Sequence, residues 1–368
     1  MTRLLYLVSH PIQYQAPLLR RIAGEPGIDL RVIFADARSA VPHHEPDFGI
    51  DVCWDVPLLD GYDSAELTAV DIANEIATVD AVWIHGWQYR WQRRAIDVAA
   101  RCGVPVLMRG ENWAGAMPDP AGPIGWAKRQ WRERSFRRCA AFLAIGSCNR
   151  DYYRDHGVPA RRMFSMPYAV DNRFFSERAA AAAPCRAALR RELGLPPAGR
   201  LLLFVGKLMR RKRPDLLVEA WQSANWGGER PDLIFAGDGE MRDTLQRMTA
   251  DALFTGFRNQ SALPALYDLA DLLVVPSERE PWGLVVNEAM ACGTAVIASD
   301  EVGAAHDLID ADCGAVFRTG DRDDLASRLI ACLPRAGELG EAARRRVATW
   351  DFEADVAGLR EALASVCR

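Results

Sequence analysis

The chain lacks several features that would each have assigned it to a class of protein. Its 368 residues contain no apolar run near the roughly 18 residues of a membrane-spanning helix, so no transmembrane segment is predicted. Nine cysteines are scattered without a C-x-x-C pair, which indicates a reduced cytosolic protein. The formal net charge of -4 gives no basic excess, so no nucleic-acid partner is expected.

What is present is a regular alternation of apolar strands and helical stretches. The length exceeds the roughly 250 to 300 residues of one hydrophobic core, so two domains are predicted. Alternating strands and helices indicate an α/β fold whose parallel sheets are covered on both faces. The strands are expected in two series, at residues 4–9, 30–35, 81–85, 104–108 and 141–145, then 201–205, 233–236, 253–255, 272–275, 295–298 and 315–317.

Residues 280–300 follow one of these strands and carry two carboxylates, Glu280 and Glu288, around the start of an apolar helix. The N–H groups of Gly283, Leu284 and Val285 would carry partial positive charge there, which suits a phosphate. Carboxylates repel a diphosphate, so the two acids are expected to accept hydrogen bonds from hydroxyls on either side of it. A ligand with hydroxyls flanking a diphosphate is a nucleotide sugar.

This segment resembles the E-x7-E signature of the retaining glycosyltransferases of family 4, group 1, which have the GT-B fold. The resemblance implies two doubly wound Rossmann-like domains that face each other across a cleft. It implies that Glu280 contacts the donor sugar and that Glu288 contacts the ribose. The expected divisions are an N-terminal acceptor-side domain at 1–175, a linker at 176–198, a C-terminal donor-side domain at 199–349, and a helix at 350–368 that crosses back to the N-terminal domain.

A cationic turn precedes this signature in residues 204–221, between a strand and a helix predicted to start near Pro214. It resembles the segment in which the family holds the donor diphosphate. By position, Gly206 and Lys207 begin the turn and Lys212 takes the place of the family lysine. Lys207 stands where relatives have arginine, which replaces a bidentate fork with a point charge. A solvated basic turn is the alternative.

Two further segments match the family in order along the chain. The turn FAGDGE places Gly237 and Gly239 where a ligand could approach the backbone closely. The segment FTGFR, with Phe257 and Arg258, occupies the place where such enzymes hold the nucleobase. The resemblance therefore adds these four residues to the donor site.

Polar residues also follow the strands predicted for the first domain. His85 ends the third of these strands and resembles the family histidine that reaches the donor sugar. Arg109 and Glu111 end the next strand and are expected on the acceptor side. The loop after the first strand adds further acceptor-side candidates in place of the glycine-rich loop of many relatives, namely His10, Gln13 and Tyr14.

Residues 124–138 combine six cations and one acid with two tryptophans and one phenylalanine. A solvated helix whose aromatic residues pack inward is the favoured interpretation. A peripheral contact with the inner face of an anionic membrane is the alternative.

Together these patterns predict a metal-independent retaining transferase without a cofactor. The expected catalytic residues are Lys207, Lys212, His85 and Glu280. The expected donor is a UDP- or GDP-sugar. The expected acceptor is a hydroxyl of a bacterial polysaccharide, glycolipid or natural product. Two alternatives are a nucleotide-sugar binding or scaffold protein without turnover, and a GT-B sugar-nucleotide epimerase or phosphorylase.

Overall fold

The computed structural model describes residues 1–45 and 50–367. The chain divides into two compact units. The first comprises residues 1–43, 56–170 and the chain from Asp351 onward, and the second comprises residues 44–55 and 171–350. Residues 46–49 of the expected first domain and Arg368 of the expected last segment lie outside the described residues.

The described strands are short and mostly apolar. They are β1 (Thr2–Val8), β2 (Ile28–Phe34), β3 (His43–Glu45), β4 (Ile50–Val52), β5 (Asp63–Glu66), β6 (Ala81–His85), β7 (Val106–Arg109), β8 (Ala141–Ala144), β9 (Met163–Ser165), β10 (Leu201–Val205), β11 (Asp232–Ala236), β12 (Leu253–Gly256), β13 (Leu272–Val275), β14 (Ala295–Ser299) and β15 (Gly314–Phe317).

The described α-helices connect these strands. They are α1 (Gln15–Ala23), α2 (Ile72–Ala77), α3 (Arg90–Cys102), α4 (Pro123–Arg137), α5 (Ser147–Asp155), α6 (Asn172–Ala182), α7 (Arg186–Glu192), α8 (Pro214–Ser223), α9 (Arg242–Met248), α10 (Leu263–Leu269), α11 (Val285–Cys292), α12 (Ala305–Leu308), α13 (Arg322–Cys332), α14 (Ala336–Val347) and α15 (Phe352–Val366).

The first unit is built on a parallel sheet with the strand order β5-β2-β1-β6-β7-β8-β9. Strand β1 is buried on both faces: Leu5 and Leu7 belong to one core cluster, while Leu4 and Tyr6 belong to the other. Helix α15 covers the second face, and Gly358 allows it to approach closely because a Cβ there would lie 1.6 Å from the carbonyl oxygen of Ser165. Strands β2 and β5 are added toward one edge of the sheet and β6 to β9 toward the other, so the switch point lies between β1 and β6.

The second unit contains a parallel sheet with the order β12-β11-β10-β13-β14-β15. This is the strand order of a doubly wound dinucleotide-binding fold. Its switch point lies between β10 and β13. Ligands of such sheets bind beyond the carboxyl ends of the strands at the switch point, which here means the loops that follow Val205 and Val275.

The structure corrects the linker expected at 176–198. Helices α6 and α7 occupy most of it, and both belong to the second unit. The Asp171 side chain accepts a hydrogen bond from the N–H of Phe174 and so caps α6, while Phe175 is fully buried near Tyr267. The Ala-rich segment is thus an anchored helix, and the division between the units falls at 170/171.

Candidate active site

The switch point of the second unit gathers the cationic turn and the first acid of the E-x7-E signature. The Lys212 ammonium forms an ion pair with Oε2 of Glu280, and Nη1 of Arg211 lies 3.6 Å from the same oxygen. Two backbone bonds fix the acid: the Glu280 N–H donates to Glu301, and the Glu280 carbonyl accepts from Gly303. The fold therefore brings together Lys212 and Glu280, which are 68 residues apart in sequence.

The start of α11 lies next to this pair in the chain. Gly283 adopts a positive φ of 92°, a conformation that a side chain would strain, and its carbonyl accepts a hydrogen bond from Val286. Within residues 1–45 and 50–367, no acceptor is recorded for the N–H groups of Gly283, Leu284 and Val285. Such a helix start presents N–H groups and the positive end of a helix dipole to an anion.

Glu288 is buried on α11, and its environment was not foreseen from the sequence. The Tyr267 hydroxyl donates a 2.6 Å hydrogen bond to Oε2 of Glu288. Burial raises the pKa of Glu288 to about 7, and the hydrogen bond from Tyr267 offsets only part of this rise. Both protonation states of Glu288 are therefore populated near neutral pH.

The glycines of the FAGDGE turn make a close backbone contact that the sequence did not predict. A Cβ on Gly237 would lie 1.9 Å from the carbonyl oxygen of Gly206, and one on Gly239 would lie 2.7 Å from that of Leu208. The loops are also joined by a 2.8 Å hydrogen bond from the Leu208 N–H to Asp238. These glycines thus allow two protein backbones to meet, and their contact with the donor stays a prediction. Lys207, which stands between Gly206 and Leu208 in the chain, is half-buried.

The segment expected to hold a nucleobase packs against a part of the chain that the sequence did not point to. The Phe257 ring meets the Trp54 ring edge-on, with centroids 5.7 Å apart, while Arg258 is exposed. The Asn259 amide donates to the carbonyl of Cys53 at 2.6 Å. Trp54 therefore joins the surroundings of the predicted base site.

In the first unit, His85 and Glu111 come together at the carboxyl ends of β6 and β7. His85 Nε2 lies 3.4 Å from Oε1 of Glu111, and the Tyr168 hydroxyl donates a 2.6 Å hydrogen bond to the same oxygen. On the other side of the ring, His85 Nδ1 lies 3.0 Å from the Tyr6 hydroxyl and 3.5 Å from Nε2 of Gln15. Tyr6, Gln15 and Tyr168 were missed because each is a single polar residue inside an otherwise unremarkable stretch.

Arg109 does not face an acceptor, which corrects the expectation from its place at a strand end. It is fully buried and donates to the carbonyls of Met166 and Pro167 and, at 3.3 Å, to Oδ1 of Asp355 on α15. Burial raises the pKa of Asp355 to about 7, although the charge of Arg109 opposes the rise. Arg109 therefore holds α15 to the sheet.

The loop after β1 places its three candidate side chains in different surroundings. The Tyr14 ring packs edge-on against Tyr168, with centroids 5.9 Å apart. Oε1 of Gln13 is buried with no hydrogen-bond partner among the described residues. His10 is exposed, and its Nδ1 lies 2.9 Å from the hydroxyl of Ser9. Tyr14 is thus part of the surroundings of Glu111, through Tyr168.

Helix α4 exposes part of its aromatic content to solvent. Ile124 is 65% exposed and Trp126 is 66% exposed, whereas Phe136 packs into the core. The Arg93 guanidinium lies 5.3 Å from the centroid of the Trp131 ring. The interpretation that all the aromatic residues pack inward is therefore wrong for Trp126 and for Trp131, which is 39% exposed. In the part of the chain that the structure describes, no helix is long and apolar enough to cross a membrane.

Two parallel-sheet units with these strand orders define the GT-B class of fold, as predicted. The structure is similar to that of HepE from Anabaena in complex with UDP and glucose, with a TM-score of 0.72 and 17% identity, covering 99% of this chain and 100% of that chain. It is also similar to a glycosyltransferase from Rickettsia africae ESF-5, with a TM-score of 0.76 and 14% identity, covering 99% and 98%. At these identities the two structures establish the fold.

Residues 186–346 match the family described as glycosyl transferases group 1. It is 29% identical over 212 residues to an alpha-D-kanosaminyltransferase of Streptomyces kanamyceticus, covering 55% of this chain and 54% of that protein. It is 32% identical over 211 residues to a D-inositol 3-phosphate glycosyltransferase of Salinispora arenicola, covering 52% and 47%. The chain spans about half the length of these relatives.

Proposed function

We propose that the protein transfers a glycosyl group from a nucleotide diphosphate sugar to an acceptor hydroxyl, with retention of the anomeric configuration. The observation that carries this proposal is the Lys212–Glu280 ion pair beside the start of α11 at the switch point of the second sheet. It combines a cation and N–H donors for a diphosphate with a carboxylate for sugar hydroxyls. The match of residues 186–346 to the group 1 glycosyl transferases supports the same reaction class.

The proposed roles follow from where charge develops. When the bond between sugar and diphosphate breaks, negative charge grows on the diphosphate. Lys212, Lys207 and the N–H groups at Gly283–Val285 would stabilise it electrostatically. Glu280 would accept hydrogen bonds from sugar hydroxyls and orient the ring. With this charge met by side chains and N–H groups, we propose that no metal ion or cofactor takes part, so turnover is expected to survive a chelator.

The donor is proposed to be a UDP- or GDP-sugar. UDP is the first choice for experiments because a structure of the same fold, that of Anabaena HepE, is described with UDP and glucose. The acceptor is proposed to be a hydroxyl of a polysaccharide, a glycolipid or a small natural product. The names of the similar kanosaminyl and inositol phosphate transferases make small polyhydroxylated acceptors the first to try.

The test is thermal stabilisation of the purified protein by a panel of nucleoside diphosphates and nucleotide sugars, because a ligand that binds only the folded state raises its melting temperature. Stabilisation that depends on the base and the sugar is expected and would identify the donor. A melting temperature that no member of the panel changes would contradict the proposal. Stabilisation without any turnover would instead favour the nucleotide-sugar binding protein.

The proposed role of Glu288 predicts a pH-dependent donor affinity. Ribose hydroxyls donate to an ionised carboxylate, and the pKa of Glu288 is about 7 in the free protein. Affinity for UDP-glucose should therefore fall by up to about tenfold per pH unit below that pKa, because a proton must first be lost. UDP-glucose suits a calorimetric titration because its diphosphate keeps a fixed charge in this range. Glu288→Gln should abolish the pH dependence, and a wild-type affinity that is constant from about pH 6 to 8 would refute this role.

We further propose that α4 contacts an anionic membrane surface through the exposed Ile124 and Trp126 and the nearby exposed cations Lys128 and Arg134. Exposed apolar side chains beside cations are typical of helices that lie in the interface of a membrane.

Vesicles containing phosphatidylglycerol should bind the protein, and phosphatidylcholine vesicles should not. The double variant Lys128→Glu and Arg134→Glu should weaken sedimentation with anionic vesicles at least roughly tenfold, since each cation contributes about 1 kcal/mol near such a surface. Arg191→Glu, which changes an exposed cation on α7, is the matched control. Equal binding by both variants would contradict a contact through α4.

A further inference from the structure

Residues 50–55 belong to the second unit, although the chain on both sides of residues 44–55 belongs to the first. The segment 50–55 consists of β4 and the three residues after it, which include Trp54. It contacts residues 257–261, which follow β12. These contacts therefore lie within one unit and join Trp54 to the sheet of that unit.

The Asn259 side chain fixes the backbone on both sides of Trp54. Its Nδ2 donates a 2.6 Å hydrogen bond to the carbonyl of Cys53, and its Oδ1 accepts a 3.4 Å hydrogen bond from the N–H of Asp55. The Asp55 carboxylate in turn accepts hydrogen bonds from the N–H of Ser261, at 3.1 Å, and from the Ser261 hydroxyl. Trp54 is therefore held in place by the protein itself, and a ligand that contacts it need not order it first.

The rings of Trp54 and Phe257 form an aromatic corner. Their planes are inclined by 70° and their centroids are 5.7 Å apart, so the edge of one ring meets the face of the other. Both side chains are only half-buried. Two half-buried rings at this angle offer a planar ligand one face on which to stack and a second ring against which to pack.

The aromatic corner lies at the edge of the sheet where the donor is proposed to bind. Strands β12, β11 and β10 are parallel, so the loops that carry Phe257 and Lys212 follow the same edge. Since β12 is two strands away from β10, roughly 10 Å separates these loops. The loop after β12 also leads into α10, where Tyr267 holds Glu288, the proposed ribose ligand. A nucleotide with its diphosphate at Lys212 and its ribose at Glu288 therefore extends its base toward this corner.

We propose that Trp54 stacks on the nucleobase of the donor, and that Asn259 is the positioning residue that holds Trp54 there. This inference rests on the proposed transfer from a nucleotide diphosphate sugar. It adds a donor-binding residue that lies outside the segment 186–346 matched to the group 1 glycosyl transferases. Every base has a π face, so Trp54 should contribute to the affinity for UDP and for GDP alike.

Trp54→Leu tests the inference because leucine keeps an apolar side chain in the segment 50–55 but has no ring. UDP, GDP and inorganic diphosphate are each titrated calorimetrically into the full chain, since they share a diphosphate and only the first two carry a base. The affinity for the nucleotide that binds wild type more tightly should fall about tenfold or more, because stacking on an aromatic ring contributes about this much per base. The affinity for inorganic diphosphate should stay within about threefold of wild type. Trp54→Phe, which restores a ring, should recover most of the nucleotide affinity.

Trp226→Leu is the matched control. Trp226 is also a half-buried tryptophan of the second unit, but it lies between α8 and β11, at the amino ends of the strands. Its replacement should change the affinity for each ligand by less than about threefold, because the site is remote from the ligand.

Asn259→Ala tests the positioning role. It removes the hydrogen bonds to the backbone of Cys53 and Asp55, so Trp54 is no longer held against Phe257. The nucleotide affinity should fall while the affinity for inorganic diphosphate stays unchanged. A residue that merely supports the fold of the second unit would weaken both ligands together.

Nucleotide affinities of Trp54→Leu within about threefold of wild type would overturn the inference and leave the proposed function standing, since base stacking contributes more than that. Equal losses for nucleotide and inorganic diphosphate would also overturn it, because they would show a general disturbance of the second unit. The same holds if Trp54→Phe binds nucleotides as weakly as Trp54→Leu. Wild-type protein that binds neither UDP nor GDP would contradict the proposed function itself, and this inference with it.

Discussion

Lys212→Ala is expected to weaken nucleotide-sugar binding roughly thirtyfold, because one charged hydrogen bond to a diphosphate contributes about 2 kcal/mol. Turnover should fall further, by about 10²- to 10³-fold, since the negative charge on the diphosphate grows in the transition state. The fold should survive, because Arg211 remains 3.6 Å from the Glu280 carboxylate that loses its partner. Calorimetric titration and steady-state kinetics measure the two effects separately.

Arg210→Ala is the matched control, since it removes the same charge from an exposed position in the same turn. It should change affinity and kcat by less than about threefold, because screening weakens exposed charges. Equal losses in the two variants would show that general positive charge binds the donor, and would argue against a specific role for Lys212.

Arg109→Met is expected to destabilise the first unit by about 3 to 5 kcal/mol near pH 8, because it leaves the buried Asp355 carboxylate without its partner. Calorimetric unfolding of the whole chain measures this loss as a lower transition temperature for that unit. Met166 and Pro167 also lose a donor to their carbonyls, which adds to the cost. A variant with unchanged unfolding would show that Arg109 does not anchor α15.

The direction in which the stability of the first unit changes with pH follows from Asp355. Its folded pKa of about 7 lies above its ordinary value, so the folded state binds a proton that the unfolded state has lost. Its contribution therefore favours folding most at acidic pH and is lost as the pH rises through about 7. The damage from Arg109→Met should be smaller near pH 5.5, and the double variant Arg109→Met, Asp355→Leu should recover much of the stability near pH 8.

The apolar strands of both sheets could be predicted from sequence because each is a short run of mostly apolar residues. Strands β5 and β9 were missed, since Asp63–Glu66 is polar and Met163–Ser165 is only three residues long. The Ala-rich segment was interpreted as a linker with a short helix because of its alanine tract and of Pro184, Pro196 and Pro197. Its capping residue, Asp171, was the available signal.

In the candidate site, motif order located Lys212, Glu280 and the start of α11 because these groups follow neighbouring strands. Their supporting partners could not be predicted in the same way. Tyr168 holds Glu111 across 57 residues of chain, and Asp355 holds Arg109 across 246. Such pairs depend on how strands and the last helix pack, which no local pattern specifies. For this reason Arg109 was predicted to lie on the acceptor side. In the structure it is buried and holds α15 through Asp355.

The measurement that tests the central claim most directly is phosphorus NMR of nucleotide sugars incubated with the purified protein and the acceptor panel. The account predicts that free nucleoside diphosphate appears with at least one donor, and that Lys212→Ala and Glu280→Gln slow its appearance by about 10²-fold or more. Donors that stay intact while they stabilise the protein against heat would contradict glycosyl transfer and identify a nucleotide-sugar binding protein.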